Sequence, residues 1–448
     1  MNKVAKPRLK PDSLALSLYG AAQAVALVRA GTALPPALTR VAQTLGLSDA
    51  ARGAQQDIAY RSMRQWGRAG ALLALLAARA PQEPLLASLL GCSLALLCQD
   101  DDGSGTRPYT DFTLVDQAVA AAAADPKTAH AKGMVNAILR RFLRERAELL
   151  EQVMREPAGR WNYPAWWITR IQADYPEQWQ AILAAGNAAP PLTLRVNRRQ
   201  TTVAACLQEL AAQGIAARQI GTDAVRLAQP LPVHAIPGFD QGRVSVQDAG
   251  AQLAAPLLDV QDGMRVLDAC AAPGGKTCHL LECADIDLLA LDSDGERLQR
   301  ITENLQRLQL SARLQQADAS NADWWDGQPF DRILADVPCT ASGVVRRHPD
   351  IRWLRRPEDA ARLATLSAQI LDNLWRMLKP NGKLLLVTCS LWPEESEQQA
   401  QAFGSRHHAI RLAAPGQLLP GADGEIDQDG LFYALFQKPA SGSNAATQ

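Results

Sequence analysis

Two cysteines and an aspartate follow apolar runs that are typical of strands. Asp336 and Cys339 lie in "ILADVPCTASG", and Cys389 lies in "LLLVTCS". Neighbouring strands are about 5 Å apart, so both thiols and the carboxyl group can face one ligand if the two strands pair. A thiolate that adds to carbon 6 of a cytosine makes carbon 5 nucleophilic, and an acid near ring nitrogen 3 assists this addition. Either cysteine alone is typical of an inert core residue, but the three residues together favour carbon-5 methylation.

A glycine turn follows another strand-like run, in "VLDACAAPGGKTCHLL" at 266–281. A phosphate-binding loop of the Walker type requires glycine six residues before Lys276, where this chain has Cys270. Asp292 ends the next strand-like run and suits the two hydroxyls of a ribose, and Asp318 can accept from an adenine amino group. The pattern fits S-adenosylmethionine better than ATP or NAD. A tight turn that binds no ligand is the alternative.

Strand-like and helical segments alternate from about residue 247 onward. The strand candidates are 264–268, 287–292, 331–336 and 383–389, and "LFYALFQK" at 431–438 is a candidate for an antiparallel edge. Such alternation predicts a mostly parallel sheet with helices on both faces. In such a sheet, ligands bind at the carboxyl ends of the strands, where the candidate residues lie.

The N-terminal part of the chain has a different pattern. Residues 14 to about 155 are rich in Ala and Leu, with apolar residues three and four positions apart, which predicts a helical bundle. The polar segment 99–112 interrupts this pattern and is predicted to be a loop. Residues 1–150 carry 18 Lys and Arg against 12 Asp and Glu, although the whole chain has no net charge. A basic bundle suits a polyanionic partner, and ordinary scatter of charge explains the excess equally well.

A tryptophan-rich segment at 160–179 and the pair Pro190–Pro191 precede residues 192–245, which are predicted to form a small α/β unit. Arginines recur in the helical end "NAILRRFLRER", in "LRVNRRQ" and in "RRHPDIRWLRR". They suit RNA phosphates and stacked bases, whereas a solvated charged face is the commoner explanation for the helical group. The candidate RNA contacts are Arg140, Arg141, Arg195, Asn197, Arg346, Arg347, His348 and Arg352.

Other features exclude several classes of protein. The chain has no uncharged apolar run of about 18 residues and no recognisable secretion signal. Its eight cysteines form no CxxC pair, which argues against a zinc knuckle and against a secreted disulfide framework. We therefore expect a cytoplasmic monomer that binds neither a membrane nor a metal.

Four segments resemble the motifs of RNA cytosine-5 methyltransferases of the NOL1/NOP2/Sun family: "DACAAPGGKT", "DVPCTASG", "RRHPDIRW" and "TCSLWPEE". This resemblance covers about 245–438. The segment "KGMVNAILRRFLR" resembles the NusB-like RNA-binding domain of bacterial Sun/Fmu-type members. Family members usually carry "PCS" where this chain has "PCT", and Thr340 keeps the hydroxyl group, so we expect little consequence.

The resemblance implies a multidomain fold. It comprises an all-α NusB-like bundle at 1–155, a linking region with a small α/β RNA-binding unit at 156–245, and an α/β Rossmann-like class I methyltransferase domain at 246–438. A disordered tail is expected at 439–448.

The resemblance also implies residue roles. Cys389 is the nucleophile on carbon 6, Cys339 assists product release, and Asp336 contacts the cytosine near nitrogen 3. The implied cofactor is S-adenosyl-L-methionine, and the implied pocket residues are Cys270, Ala271, Ala272, Pro273, Gly274, Gly275, Lys276, Asp292, Asp318 and Asp336. The implied substrate is 16S ribosomal RNA, unassembled or in an early small subunit, at a nucleotide that the sequence does not specify.

Two other functions stay open at this point. One is cytosine methylation of another RNA, such as transfer RNA, by the same catalytic residues. The other is a non-catalytic NusB-like RNA-binding or antitermination protein, against which the intact set of Asp336, Cys339 and Cys389 argues.

Overall fold

The computed structural model describes residues 7–98, 109–421 and 426–440. Most of the predicted loop at 99–112 and of the predicted tail at 439–448 lies outside the described residues. In the part that is described, no helix combines the length and the apolar character that a membrane span requires.

The described residues form α-helices and β-strands that are numbered separately in chain order. The helices are α1 (Leu14–Arg29), α2 (Leu34–Leu45), α3 (Asp49–Arg64), α4 (Trp66–Leu76), α5 (Pro84–Leu97), α6 (Asp111–Ala123), α7 (Lys132–Arg144), α8 (Arg146–Met154), α9 (Pro157–Trp161), α10 (Ala165–Asp174), α11 (Trp179–Asn187), α12 (Val203–Ala212), α13 (Ala254–Leu258), α14 (Gly275–Cys283), α15 (Gly295–Leu308), α16 (Ile351–Leu354), α17 (Asp359–Arg376) and α18 (Glu397–His407). The strands are β1 (Thr193–Val196), β2 (Ala217–Gln219), β3 (Ala224–Leu227), β4 (Val244–Val246), β5 (Arg265–Ala269), β6 (Asp287–Asp292), β7 (Arg313–Gln316), β8 (Phe330–Asp336), β9 (Leu378–Thr388), β10 (Ile410–Leu418) and β11 (Leu431–Gln437).

The chain divides into two compact units. The first comprises Met1–Ala189 together with Val345–Arg356, and the second comprises Pro190–Val344 and Pro357–Gln448. The chain therefore passes from one unit to the other three times.

The first unit is a helical bundle whose sequence explains its core. Helix α5 is apolar on all sides, and all of its residues after Pro84 are buried, so it is the central helix. Helix α7 is amphipathic: Val135, Ile138, Leu139 and Phe142 are buried, whereas its arginines face solvent. The helical fold expected for this part of the sequence is confirmed.

The helical unit is larger than predicted. It continues through α8–α11 as far as Ala189, past the predicted boundary at 155, because residues such as Tyr163 and Trp167 of the tryptophan-rich segment are fully buried. It also includes Val345–Arg356, where Trp353 packs against the helical core and its indole N–H donates to the carbonyl oxygen of Met63 at 3.2 Å.

Arg352 is the buried centre of this added segment. Its guanidinium lies 3.8 Å from the ring centre of Tyr163 and donates to the carbonyl oxygen of Gly186 at 2.6 Å. It also donates to the backbone oxygen of Asn162 at 3.1 Å and to the side-chain oxygen of Asn187 at 2.6 Å. A fully buried and paired guanidinium cannot reach a phosphate, so the prediction that Arg352 contacts RNA is wrong.

The prediction that Arg346 contacts RNA is also wrong, because this residue is buried. Arg346 is only 2% exposed, and its backbone oxygen accepts a hydrogen bond from the guanidinium of Arg64 at 2.9 Å. Nearby, the carboxylate of Asp350 accepts from the amide of Leu34 at the start of α2, at 2.8 Å. Three charged residues of Val345–Arg356 are therefore interior, namely Arg346, Asp350 and Arg352, whereas His348 and Arg356 are exposed.

The second unit contains two sheets. The smaller has the strand order β2-β3-β1-β4 with antiparallel pairing, and α12 packs beside it. The larger has the order β10-β11-β9-β8-β5-β6-β7, in which β5 to β9 are parallel and β11 and β10 are antiparallel. The predicted Rossmann-like fold is confirmed. Strand β10, which the sequence analysis did not identify, is the outermost strand on the side of β11.

Replacing Arg352 with methionine should destabilise the helical unit. Methionine fills most of the volume of the arginine side chain but leaves three oxygen acceptors without their donor. The free energy of local unfolding of the helical unit should fall by about 2–3 kcal/mol. Hydrogen–deuterium exchange of peptides from α9–α11 measures this change. The exposed Arg140→Met is the matched control, and equal exchange in the two variants would contradict the structural role of Arg352.

Candidate active site

Cys339 and Cys389 lie on adjacent loops at the carboxyl ends of β8 and β9. Their sulfur atoms are 3.4 Å apart, within hydrogen-bond distance. The strands are neighbours and pair in parallel with Asp336 opposite Val387, so the two loops begin at the same level of the sheet. The bond to Cys389, together with burial, raises the pKa of Cys339 well above its ordinary value. Cys339 therefore keeps its proton at neutral pH.

Backbone contacts also join the two cysteine loops. The amide of Gly343 donates to the carbonyl oxygen of Cys389 at 2.9 Å, and the amide of Gly430 donates to the carbonyl oxygen of Gly343 at 2.9 Å. A β-carbon on Gly343 would overlap the backbone of Gly430. The close approach of these segments thus requires glycine at position 343.

Lys276 and Asp336 form an ion pair beside the thiols. The ammonium nitrogen of Lys276, in the first turn of α14, lies 2.7 Å from a carboxylate oxygen of Asp336. Burial is the largest influence and lowers the pKa of Lys276. The charge of Asp336, its hydrogen bond and the neighbouring Tyr433 and Cys389 together outweigh burial and leave the pKa above its ordinary value. Cys389 also interacts electrostatically with this ammonium group. A fixed carboxylate, a cation and two thiols are therefore one cluster.

A buried acid lies below the glycine turn. Asp268 of β5 accepts from the hydroxyl of Thr277 at 2.6 Å, while its other carboxyl oxygen has no hydrogen-bond partner among the described residues. Burial raises the pKa of Asp268 to about 7. The acid is thus close to half protonated at neutral pH.

A cavity of about 190 Å³ opens beside the carboxyl ends of β6 and β7. Asp292 forms part of its wall, and one of its carboxylate oxygens accepts from the amide of Ala272 at 3.0 Å. Cys270 and Asp318 also line the cavity, opposite apolar groups that include Ile370 of α17. Carboxylate acceptors next to apolar walls fit the ribose and purine of an adenosyl group.

The other predicted pocket residues occupy different positions around the turn. Pro273, Gly274 and Gly275 line a neighbouring opening rather than this cavity. Ala271 is buried, and its amide donates to the carbonyl oxygen of Leu291 at 2.8 Å. The structure thus brings Cys270, Asp292 and Asp318 together, and it places Lys276 and Asp336 beside the thiols.

Residues 255–437 match the family described as "16S rRNA methyltransferase RsmB/F", and residues 163–234 match "Methyltr_RsmF/B-like, ferredoxin-like domain". The ribosomal RNA small subunit methyltransferase B of Pseudomonas putida is 42% identical over 441 residues, which cover 94% of this chain and 98% of that protein. The chain belongs to the RsmB/F family of 16S rRNA methyltransferases.

Further similarities agree with the RsmB/F family. The methyltransferase of the same name from Vibrio vulnificus is 47% identical over 319 residues, 69% of this chain and 74% of that protein. The crystal structure of PH0851 has the same fold, with a TM-score of 0.76 at 22% identity over 97% of this chain and 100% of that one. The family that the catalytic motifs indicate is therefore confirmed.

In this RsmB/F-family chain, Arg195 braces the glycine turn. Its guanidinium is 1% exposed and forms two hydrogen bonds with Glu282 of α14, at 2.6 and 2.9 Å. It also donates to the carbonyl oxygen of Gly275 at 2.8 Å. Because all of this is buried, the prediction that Arg195 contacts RNA is wrong, and the residue instead ties the small sheet to α14.

Asn197 is buried as well, at 1% exposure. Its amide nitrogen donates to the carbonyl oxygen of Gly242 at 3.0 Å, so its predicted RNA contact is also wrong. Arg140, Arg141 and His348 are exposed and Arg347 is half-buried, and their RNA contacts stay predictions.

Sequence reasoning missed two charged residues at the RsmB/F site. Arg297 of α15 donates to the carbonyl oxygen of Ala272 at 2.7 Å and lies 3.6 Å from Asp292. Glu282 is the buried partner of Arg195. The sequence held one indication of Glu282: it is a lone acid among the apolar residues of "KTCHLLEC". An acid that is buried in a helix requires a cation as its partner.

Stability should depend on the protonation of Asp268. Its folded-state pKa of about 7 lies above the ordinary 3.8, so its stabilising contribution is complete below pH 3.8 and is lost as the pH rises through 7. The stability of the wild type relative to Asp268→Asn should fall by up to about 4 kcal/mol between about pH 4 and pH 8. Urea unfolding of both proteins across this range is the measurement, with the exposed Asp285→Asn as the control for loss of one charge. A constant difference would show that Asp268 does not titrate there.

Proposed function

We propose that the chain transfers a methyl group from S-adenosyl-L-methionine to carbon 5 of a cytosine in 16S ribosomal RNA. One observation carries this proposal. The sulfur atoms of Cys339 and Cys389 are 3.4 Å apart, next to the Lys276–Asp336 ion pair. A pyrimidine needs a nucleophile, an acid and a second proton carrier for carbon-5 substitution, and the cluster offers these groups at one place.

Addition is the first proposed step. The thiolate of Cys389 forms a bond with carbon 6, and the electron pair of the carbon 5–carbon 6 double bond moves into the ring. Asp336, a carboxylate held by Lys276 at 2.7 Å, faces the ring near nitrogen 3; it takes the proton from the Cys389 thiol and passes it to nitrogen 3, which neutralises the ring. Carbon 5 is then a nucleophile.

S-adenosyl-L-methionine, when bound, would supply an activated methyl group to carbon 5, with the methyl–sulfonium bond breaking as the bond to carbon 5 forms. Cys270, Asp292 and Asp318 would hold its adenosyl part, because they bring acceptors and apolar surface to one cavity. Arg195 contributes by fixing the carbonyl oxygen of Gly275 at the start of α14. The turn is thereby held rigidly beside the cavity.

Elimination completes the proposed reaction. The proton leaves carbon 5, its electron pair re-forms the ring double bond, and the carbon 6–sulfur bond breaks. Cys339, which keeps its proton because of its raised pKa, passes this proton to the departing sulfur of Cys389 and receives the one from carbon 5. Asp336 recovers the proton from nitrogen 3.

The RNA substrate follows from the family and from the chemistry. A cytosine inside a duplex does not expose carbon 6, so the target should be unstacked and turned into the site. Arg140 and Arg141, exposed on α7, are proposed to bind phosphates.

Bisulfite sequencing of ribosomal and transfer RNA from a deletion strain, complemented with the wild type, tests which RNA is the substrate. Loss of a modified cytosine in transfer RNA alone would contradict the ribosomal assignment.

Cys389→Ala should abolish methyl transfer without weakening donor binding, because only the nucleophile is removed. Transfer of radiolabelled methyl groups to unmodified 16S ribosomal RNA and calorimetric titration with S-adenosylmethionine measure the two properties. Cys206→Ala, in the core of the small α/β part, controls for loss of a buried thiol. Residual turnover at the wild-type rate would exclude Cys389 as the nucleophile.

Cys339→Ala should accumulate a covalent enzyme–RNA adduct, because addition still occurs and the departing sulfur lacks its proton donor. A denaturing gel detects the adduct by its slower migration. The double variant with Cys389→Ala should form none. Normal turnover of Cys339→Ala without an adduct would reverse the roles assigned to the two cysteines.

A further inference from the structure

One carboxylate contacts both cysteine loops. An oxygen of Glu395 accepts from the amide of Thr340 at 2.8 Å, and the other oxygen accepts from the hydroxyl groups of Thr340 and Ser390, both at 2.5 Å. Thr340 follows Cys339 in the chain, and Ser390 follows Cys389. Glu395 therefore binds the residue next to each cysteine.

This contact is deep in the protein. Glu395 and Thr340 are each 1% exposed, and Ser390 is fully buried. Burial raises the pKa of Glu395, while its three hydrogen bonds favour the charged form. A buried carboxylate is costly in free energy unless hydrogen-bond donors surround it. The two loops must therefore stay where Thr340 and Ser390 can donate to Glu395.

Ser342 extends the connection between the loops. Its hydroxyl oxygen accepts from the amide of Leu391 at 2.7 Å and lies 3.2 Å from the hydroxyl oxygen of Ser390. Thr340 and Ser342 come from the loop after β8, whereas Ser390 and Leu391 come from the loop after β9. The network thus crosses between the two loops at several points, with Glu395 as its common acceptor.

We propose that Glu395 is a positioning residue that sets the separation of the two catalytic sulfur atoms. It acts through Thr340 and Ser390 and not on the substrate. The inference rests on the proposed function, because it gives the two thiols separate roles that depend on their distance. A serine at position 340 would offer Glu395 the same hydroxyl group as the threonine in "PCT".

Glu395→Gln is the first test. Glutamine has the same size and can still accept from the amide of Thr340, but it places an amino group where the carboxylate accepted two hydroxyls. Displacement of reacting atoms by about 1 Å can cost about 100-fold in rate, so we expect a fall of about 10- to 100-fold in single-turnover methyl transfer. Donor affinity and the unfolding midpoint should stay close to those of the wild type. Glu394→Gln, a half-buried neighbour, is the matched control.

A second measurement separates positioning from the proposed reaction. In a Cys339→Ala background, Glu395→Gln should still slow the appearance of the covalent RNA adduct, because Glu395 also holds the loop of Cys389 through Ser390. If Cys339→Ala forms no adduct at all, the covalent route fails, and the role of Glu395 is then judged by methyl transfer with Cys339 intact. Wild-type rates for Glu395→Gln in the transfer assay would overturn the positioning role.

Single-donor variants keep the proposal testable if Glu395→Gln does not fold. Thr340→Val and Ser390→Ala each remove one hydroxyl from the carboxylate, and each should slow transfer at unchanged donor affinity. Thr340→Ser restores the hydroxyl and should be faster than Thr340→Val. Rates equal to the wild type in both single-donor variants, or losses that match a loss of donor binding and folding, would overturn the inference.

Discussion

The site depends on the parallel pairing of β8 with β9. This pairing places Asp336 opposite Val387, so the two loops that follow start side by side. A shift of one residue would turn the side chains of one strand to the opposite face of the sheet and separate the loops. The sulfur–sulfur distance, the Lys276–Asp336 ion pair and the contacts of Gly343 all require this register.

Buried charges then hold the loops and the turn in place. Arg195 and Glu282 pair in the interior and join the small sheet to α14, and Arg195 also reaches the carbonyl oxygen of Gly275. A buried ion pair adds little net stability, but loss of one partner is costly, so such a pair fixes geometry more than it strengthens the fold. The small sheet therefore supports the glycine turn at the start of α14.

The sequence predicts the positions of strands more reliably than it predicts which charged residues are buried. The apolar runs that end in Asp336 and Cys389 identify the parallel strands and their common edge, because strand periodicity and strand ends are local properties. Arg195 and Arg352 looked like RNA contacts because arginine is normally exposed. Their burial depends on partners 87 and 166 residues away along the chain, which no local pattern reveals. Glu395 lies within a motif, yet its contacts with two loops appear only once those loops meet.

The segment Val345–Arg356 has a consequence for biosynthesis. Residues of the helical unit up to Ala189 leave the ribosome well before this segment, which supplies Arg352 to Gly186 and Trp353 to the helical core. At about 5–20 residues per second, the remaining stretch takes roughly 10–30 s to translate. During this interval the nascent bundle lacks the side chains of Arg352 and Trp353, and the carbonyl oxygen of Gly186 lacks its hydrogen bond from the guanidinium. Completion of the N-terminal half is thus delayed until most of the polypeptide exists.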